Sequence, residues 1–342
     1  DRSTWVFRQK KAKTLNKEWY SCRSLFGNDW AFFYILLGAR EAGKSYDVMN
    51  RFLKDWKQKK KPFTWLRLTE ASQKKMLSNK ADKLVDPDLR RKYDLELTVK
   101  GCQVFDHGEP MCKVLALSTF YNDKGVALYD NEYDLGYNIC VDEMNRELNE
   151  RKTFDITYAF VNQMENLVRS TKDKLRIVLI GNTLEEASDL LCAFNFIPEQ
   201  FGRFKLKKKR AVVEYIEPTE AYLERRKGSI ASILAPDAST FTNEQKFDRS
   251  KIYKGRLQKP QFIIQFRNHS FTVWDKNVIA KFNKENKPII SMVPLLINNT
   301  VFKSELRDEV ILMNYEKKFM FKDLLTQKLF DKCIKEIKGI KG

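Results

Sequence analysis

Phe32-Phe-Tyr-Ile-Leu-Leu37 is a continuous apolar run that stops at Gly38. A run without polar alternation predicts a strand buried on both faces, as in a parallel sheet. Past Ser45 the period changes. Met49, Phe52, Leu53 and Trp56 recur at helical spacing until a lysine run reaches Pro62, a helix stop. Phe63–Leu68 predicts a second strand, and residues 70–93 a charged helical stretch. Leu95–Val99, Gln103–Phe105 and Lys113–Leu117 predict strands joined at Lys100-Gly101 and His107-Gly108, a meander set into the pattern. Tyr137–Val141 is another buried strand, and Ile156, Phe160, Met164, Leu167 and Val168 mark a long amphipathic helix. Leu175–Ile180 predicts a strand, followed by Gly181-Asn182 and a helix through Leu191. Strands alternating with helices over residues 28–216 predict a doubly wound α/β domain.

Beyond Pro218 the texture changes. Residues 218–250 hold a charged helix, Glu220–Lys227, and a Ser/Thr/Asn-rich stretch that reads as a linker. Phe262–Phe266 and Phe271–Trp274 predict a β-hairpin, and residues 303–338 are mostly helical. The predicted organisation is a basic, aromatic N-terminal extension (1–27), an α/β domain (28–217), a linker (218–250) and a smaller α+β domain (251–342). No internal repeat is present.

Charge then narrows the function. The chain has 342 residues, with 63 Lys and Arg against 45 Asp and Glu, a net charge of +18. A folded protein this basic is suited to a polyanion, nucleic acid or an acidic membrane surface. Residues 251–342 carry 19 Lys and Arg against nine acids, over half of the net charge. The 43% apolar content excludes wholesale disorder. Two histidines, His107 and His269, far apart, argue against a His-based triad or a His-rich metal site. Six scattered cysteines without a CxxC pair point to a reducing cytoplasm. The longest strongly apolar run, Trp30–Ala39, is ten residues and too short to span a bilayer.

The chemistry concentrates in a few places. Gly38-Ala39-Arg40-Glu41-Ala42-Gly43-Lys44-Ser45, followed by Tyr46, fits GxxxxGK[ST]. In such a loop, backbone N–H groups face the β-phosphate and the following helix adds its positive N-terminal dipole. Lys44 reaches the β- and γ-phosphates, and the Ser45 hydroxyl ligates Mg²⁺. An ordinary βα turn can share the spacing; the buried strand before it and the amphipathic helix after it select the ATP-binding reading. Tyr137-Asn-Ile-Cys-Val-Asp142-Glu143 ends a strand in two acids: Asp142 to hold Mg²⁺, Glu143 to act as general base on water. Asn182, after the strand Leu175–Ile180, is placed to face the γ-phosphate. Arg169 ends a helix, where an arginine serves either as a dipole partner or as an arginine finger in a neighbouring subunit. Arg40 is its rival. The run Arg203–Arg210 reads as a solvated edge strand or a phosphate track. Lys124, Arg146, Arg151 and Lys152, in loops past strands, are the better candidates for contacting DNA.

With these motifs the sequence resembles the genome-packaging ATPases (encapsidation proteins) of phi-29-type short-tailed bacteriophages. The carriers are Gly38-Ala-Arg-x-x-Gly-Lys-Ser-Tyr46, Leu97-x-Val-Lys-Gly101, Val141-Asp-Glu143, and Met164-Glu-x-x-Val-Arg169 leading to Arg176 and Asn182. Glu224-Arg-Arg-Lys227 and Phe271-Thr-x-x-Trp274 extend the match, which covers roughly residues 25–280 and fades in the last sixty. The resemblance implies an ASCE (additional-strand) P-loop ATPase acting as a homo-oligomeric ring, a pentamer, on the portal vertex of a procapsid and pumping double-stranded DNA inward. It implies that Arg169 is the trans-acting finger and that Lys124 lies on a DNA-gripping loop. It also implies an RNase H-like second domain without nuclease activity; Gln261–Phe266 indeed carries no carboxylate where a two-metal nuclease needs one. Some relatives dock on a packaging RNA, which the basic second domain permits. The implied location is the host cytoplasm and, transiently, the procapsid portal, not the mature virion. The alternatives are another P-loop nucleic-acid motor such as a helicase, or a non-enzymatic nucleic-acid-binding protein with a vestigial P-loop.

Overall fold

The computed structural model describes residues 6–8, 17–123, 137–144, 154–168, 175–182, 190–235, 249–281, 287–293, 295–297, 300–302 and 305–338. The chain divides into two compact units, one spanning residues 2–194 and 198–246, the other 195–197 and 247–342.

In chain order the first unit carries β1 (Val6–Arg8), β2 (Phe33–Leu37), α1 (Lys44–Lys59), β3 (Phe63–Arg67), α2 (Glu70–Ala81), α3 (Pro87–Lys92), β4 (Leu97–Lys100), β5 (Gln103–Asp106), β6 (Glu109–Ala116), β7 (Tyr137–Asp142), α4 (Ile156–Val168), β8 (Leu175–Gly181), β9 (Gly202–Leu206), β10 (Ala211–Tyr215), α5 (Glu220–Arg226) and α6 (Ile230–Leu234). The ten strands form one sheet in the order β1-β9-β10-β2-β8-β7-β3-β6-β5-β4. From β10 to β6 the neighbours run parallel. The meander β4–β6 and the strands β9 and β1 add antiparallel edges.

The central strands are buried on both faces, because helices cover both. Adjacent residues of a strand point to opposite faces. Tyr34 and Leu36 join one core cluster with Val48, Met49, Phe52, Leu53 and Trp56 of α1. Phe33, on the other face, meets Phe160 of α4 and Phe194, with ring centroids 6.3 and 5.2 Å away. The helical stripe read from the sequence is therefore the packed face of α1. Burial of charge is matched by partners: Asp55 of α1 accepts from Asn138 and Arg176, each at 3.0 Å.

Three segments differ from their sequence reading. Residues 70–93 are two helices, because Ser78–Lys80 leave helical geometry and Asp86-Pro87 start a new N-terminus. The basic run 203–210 is not an edge strand. Phe204 and Leu206 of β9 are buried, β1 pairs on its outer side, and within the run only the turn Lys207–Arg210 is exposed. Residues 20–26, set apart by composition as an extension, place Cys22, Leu25 and Phe26 in the main core cluster of the first unit.

The second unit carries β11 (Pro260–Gln265), β12 (Ser270–Trp274), β13 (Val278–Ala280), β14 (Ile289–Ser291), β15 (Leu295–Ile297), β16 (Thr300–Phe302), α7 (Glu305–Tyr315), β17 (Met320–Phe321) and α8 (Leu324–Lys338). Its main sheet has the order β14-β11-β12-β13-β17. β11–β13 are an antiparallel meander, and β14 lies parallel beside β11. α8 inserts Phe330 among Phe266, Phe271, Phe319 and Phe321, with centroids 5.4 to 5.7 Å apart.

Candidate functional site

Parallel register brings the ends of four strands to one edge of the sheet. Leu37 of β2 pairs with Gly181 of β8, Ile180 with Asp142 of β7, and Val141 with Leu66 of β3. The residues that follow these ends are the ones singled out by motif: Gly38, Asn182 and Glu143. Ligands of open α/β sheets bind at this carboxyl edge.

Between β2 and α1 the chain turns through Glu41 (φ 59°) and Gly43 (φ 87°), both left-handed. Gly43 is required here on two counts. Its φ disfavours a side chain, and a Cβ would stand 3.1 Å from Trp19 Cε3. Gly43 is also the N-cap of α1, without a side-chain cap, so the helix's first N–H groups are left for a ligand. Lys44 is buried, and its Nζ donates to Gly38 O at 2.8 Å and Ala39 O at 2.7 Å. Burial lowers its pKa to about 8; the Asp142 carboxylate pulls the other way, and Arg40 adds to the lowering.

The Ser45 hydroxyl donates to Asp142 Oδ1 at 2.8 Å. Arg67, the last residue of β3, is buried; its Nη1 donates to Asp142 Oδ2 at 2.8 Å and its Nη2 to Glu143 Oε2. Glu143 stands in a left-handed conformation (φ 57°), its carboxylate half-exposed while that of Asp142 is buried, and both are held by the one Arg67 guanidinium. A pocket of about 350 Å³ is lined by Arg40, Glu41, Ala42, Gly43, Lys44, Ser45, Tyr46, Glu143 and Asn182. Gly38 and Ala39 lie behind it, bonded to Lys44, and Asp142 lies beneath, bonded to Ser45. A hydroxyl and a carboxylate converging at 2.8 Å are the hard oxygen donors that Mg²⁺ takes while keeping waters and phosphate oxygens. Among the described residues, no group of three or more His, Cys, Asp and Glu gathers to hold a metal; here only the two acids meet.

Arg67 was not marked by any motif. It becomes visible only when β3 is known to lie beside β7. Arg169, Lys124, Arg146, Arg151 and Lys152 lie outside the described residues. The segment leading to Lys124, Leu117–Asp123, is tied to α4: Gln163 donates to Asp123 at 2.9 Å and Asn166 to Phe120 O at 3.0 Å. The cations of the β9–β10 turn are held over aromatic rings, Lys207 over Trp30 at 3.8 Å and Arg210 over Phe32 at 3.4 Å.

Residues 15–331 match the family of the Podovirus DNA encapsidation protein (Gp16). The chain belongs to this family. No curated protein sequence matches it. Among solved structures, its fold is similar to the bacteriophage Phi-29 viral genome packaging motor assembly, with a TM-score of 0.67 and 16% identity over 94% of this chain and 100% of that one. It is also similar to the Phi-28 gp11 DNA packaging motor, with a TM-score of 0.62 and 14% identity over 94% and 97%. The N-terminal domain of the DNA packaging ATPase from bacteriophage phi29 aligns over 58% of this chain and 96% of its own, at 21% identity and a TM-score of 0.46. At such identities the likeness is one of fold, and for this encapsidation family member the fold is a mixed α/β sheet carrying a pocket at its carboxyl edge.

Proposed function

We propose that this family member is an ASCE P-loop ATPase that drives double-stranded viral DNA through the portal vertex into a procapsid. The observation that carries the reading is the convergence of Lys44, Ser45 and Glu143 on one pocket, with Asp142 bonded to Ser45 beneath it. The position of β8 between β2 and β7 supports the ASCE class, because it inserts a strand between the phosphate loop and the strand bearing the two acids. Lys44 would leave its two carbonyls for the β- and γ-phosphates. Ser45 and Asp142 would hold Mg²⁺, which neutralises charge on the phosphate oxygens. Glu143 would take a proton from water as its oxygen bonds to the γ-phosphorus and the bond to the leaving ADP breaks. Asn182 would contact the γ-phosphate, and Arg169 of a neighbouring subunit would stabilise the transition state within a homo-oligomeric ring, a pentamer.

The second unit is proposed as an RNase H-like domain without nuclease activity. Three antiparallel strands followed by a fourth parallel to the first support that topology, while β17 joins the opposite edge. The proposed partners are duplex DNA, the portal and a packaging RNA; the proposed location is the host cytoplasm and the procapsid portal. The decisive experiment is Mg-ATP hydrolysis with intact duplex and procapsid. Stimulation by both supports a packaging motor. Unwinding of a forked duplex would favour a helicase, and absence of hydrolysis a vestigial loop.

Two outcomes follow from charge. With Lys44 at about pH 8 in the free protein, Mg-ATP affinity should be flat below pH 8 and fall about tenfold per unit above it, since phosphates engage the ammonium form. The same depressed pKa makes this group's contribution to stability rise with pH from about 8 to the ordinary lysine range, where only the unfolded chain stays protonated. Titration calorimetry between about pH 7 and 9.5, with Lys44→Met as control, reads the affinity; a wild-type affinity no tighter than that of Lys44→Met across the range removes Lys44 from the phosphates. Duplex affinity should be independent of sequence and fall steeply with salt. Each phosphate contact contributes about −0.9 to the log–log slope, so Lys124→Ala should flatten it by about that amount. A sequence-specific affinity indifferent to salt would overturn the translocase reading.

A further inference from the structure

A loop that turns its N–H groups toward a phosphate turns its carbonyls away, where donors from elsewhere can tie them. Every carbonyl from Gly38 to Ala42 has one. Lys44 Nζ serves Gly38 O and Ala39 O. The other three donors come from outside the loop: the Tyr222 hydroxyl to Arg40 O at 2.8 Å, Arg225 Nη2 to Glu41 O at 2.6 Å, and the Tyr20 N–H to Ala42 O at 2.9 Å. When Lys44 moves to a phosphate, these three bonds still hold the carbonyls of Arg40, Glu41 and Ala42 from outside the loop. We propose that Tyr20, Tyr222 and Arg225 are positioning residues, a latch on the outer side of the phosphate loop, and that docking of α5 sets the loop's affinity for nucleotide. The proposal rests on the ATPase reading and deepens it.

The latch is anchored well beyond three hydrogen bonds. Tyr222 is buried against Ala39 and Ala42. The Arg225 guanidinium stacks 3.8 Å over Trp19, and its Nε lies 3.1 Å from Glu18 Oε1. Arg226, its side chain buried, pairs with the Glu41 carboxylate. Thr219 caps α5 by accepting from Tyr222 N at 3.1 Å, and its hydroxyl donates to Lys17 O at 2.6 Å. Asp47 of α1 accepts from Cys22 N at 2.7 Å. Residues 17–22 and 219–226 are thus joined to each other as well as to the loop. Of the two left-handed residues, Glu41 carries a latched carbonyl and Gly43 follows the last of them, so the latch spans the strained turn into α1. By linkage, a nucleotide that prefers the latched loop steadies α5 by the same factor, and anything that displaces α5 weakens nucleotide binding.

The test uses the full-length protein, mant-ATP with Mg²⁺ as the probe, and four readouts: affinity, KM against kcat, melting temperature, and amide exchange. Tyr222→Phe removes only a hydroxyl, the one that serves Arg40 O and also bonds the Arg226 side chain. It should weaken mant-ATP binding about three- to tenfold and raise KM alike, while kcat at saturation stays within about twofold and the melting temperature within about 2 °C. Arg225→Ala should weaken binding about ten- to thirtyfold. Arg225→Lys should recover only part, since an ammonium lacks the planar fork that stacks on Trp19 while reaching Glu41 O. In the wild type, Mg-ATP should slow amide exchange across residues 219–227, and less so in Tyr222→Phe. Variants that bind mant-ATP as the wild type does, while the wild type binds and hydrolyses ATP, overturn the latch alone. A loss of kcat equal to the loss of affinity also overturns it. A wild type that binds no mant-ATP overturns the ATPase reading and the latch together.

Discussion

Glu143→Gln should bind Mg-ATP as the wild type does and hydrolyse it about 10²–10⁴ times more slowly. The substitution keeps size and one acceptor oxygen but removes the basic carboxylate. Ser45 and Asp142, which bond to each other at 2.8 Å, are untouched, so the groups proposed to hold the metal remain. Arg67 keeps its bond to Asp142 at 2.8 Å and can still donate to the amide oxygen of the Gln, so folding should change little. The Glu143 side chain is half-exposed, and neutralising it leaves no buried charge unpaired. Single-turnover hydrolysis with duplex DNA, beside a mant-ATP titration, separates chemistry from binding. Turnover within about threefold of wild type would remove Glu143 as the general base and leave its left-handed backbone without a catalytic reason.

What could be read from the chain was what is local. The apolar run before Gly38 and the helical period after Ser45 place a strand, a loop and a helix within thirty consecutive residues, and the glycine-lysine-serine spacing sits where the period switches. The end of β7 is equally local, since two acids follow a buried strand. Arg67 was illegible because its meaning lies in a pairing across 75 residues of chain: it closes β3 as an ordinary Arg-Leu-Thr until β3 and β7 lie side by side. The latch was hidden by composition. Residues 1–27 and 218–250 look like an extension and a linker because charge and polarity dominate them, yet Cys22, Leu25, Phe26 and Tyr222 are the apolar anchors inside those stretches. Charge also masked β9, where the buried Phe204 and Leu206 alternate with the half-buried Arg203 and Lys205. In each case a long-range contact, absent from any window of sequence, decided the outcome.

The same long-range pair gives the largest expected loss of stability. Arg67 and Asp142 have side chains 8% and 9% exposed and meet at 2.8 Å. Removing one partner of a buried pair strands the other charge away from water, at a cost of about 3–5 kcal/mol. Arg67→Met keeps most of the side chain's volume, so the loss measured is electrostatic rather than a cavity. Two anions, Asp142 and Glu143, would then adjoin each other with their shared cation gone. For a unit of this size the melting temperature of the first unit's transition should fall by about 6–20 °C. Asp142→Asn alone should cost less, because Arg67 retains Glu143 as a partner. In the Arg67→Met background, Asp142→Asn should restore part of the loss, since the stranded charge is then neutral. Calorimetry on the four proteins of that cycle isolates the coupling. A fall below about 2 °C for Arg67→Met, or strictly additive effects, would mean that water or another cation reaches Asp142 and that Arg67 does not hold the acidic end of β7 in place.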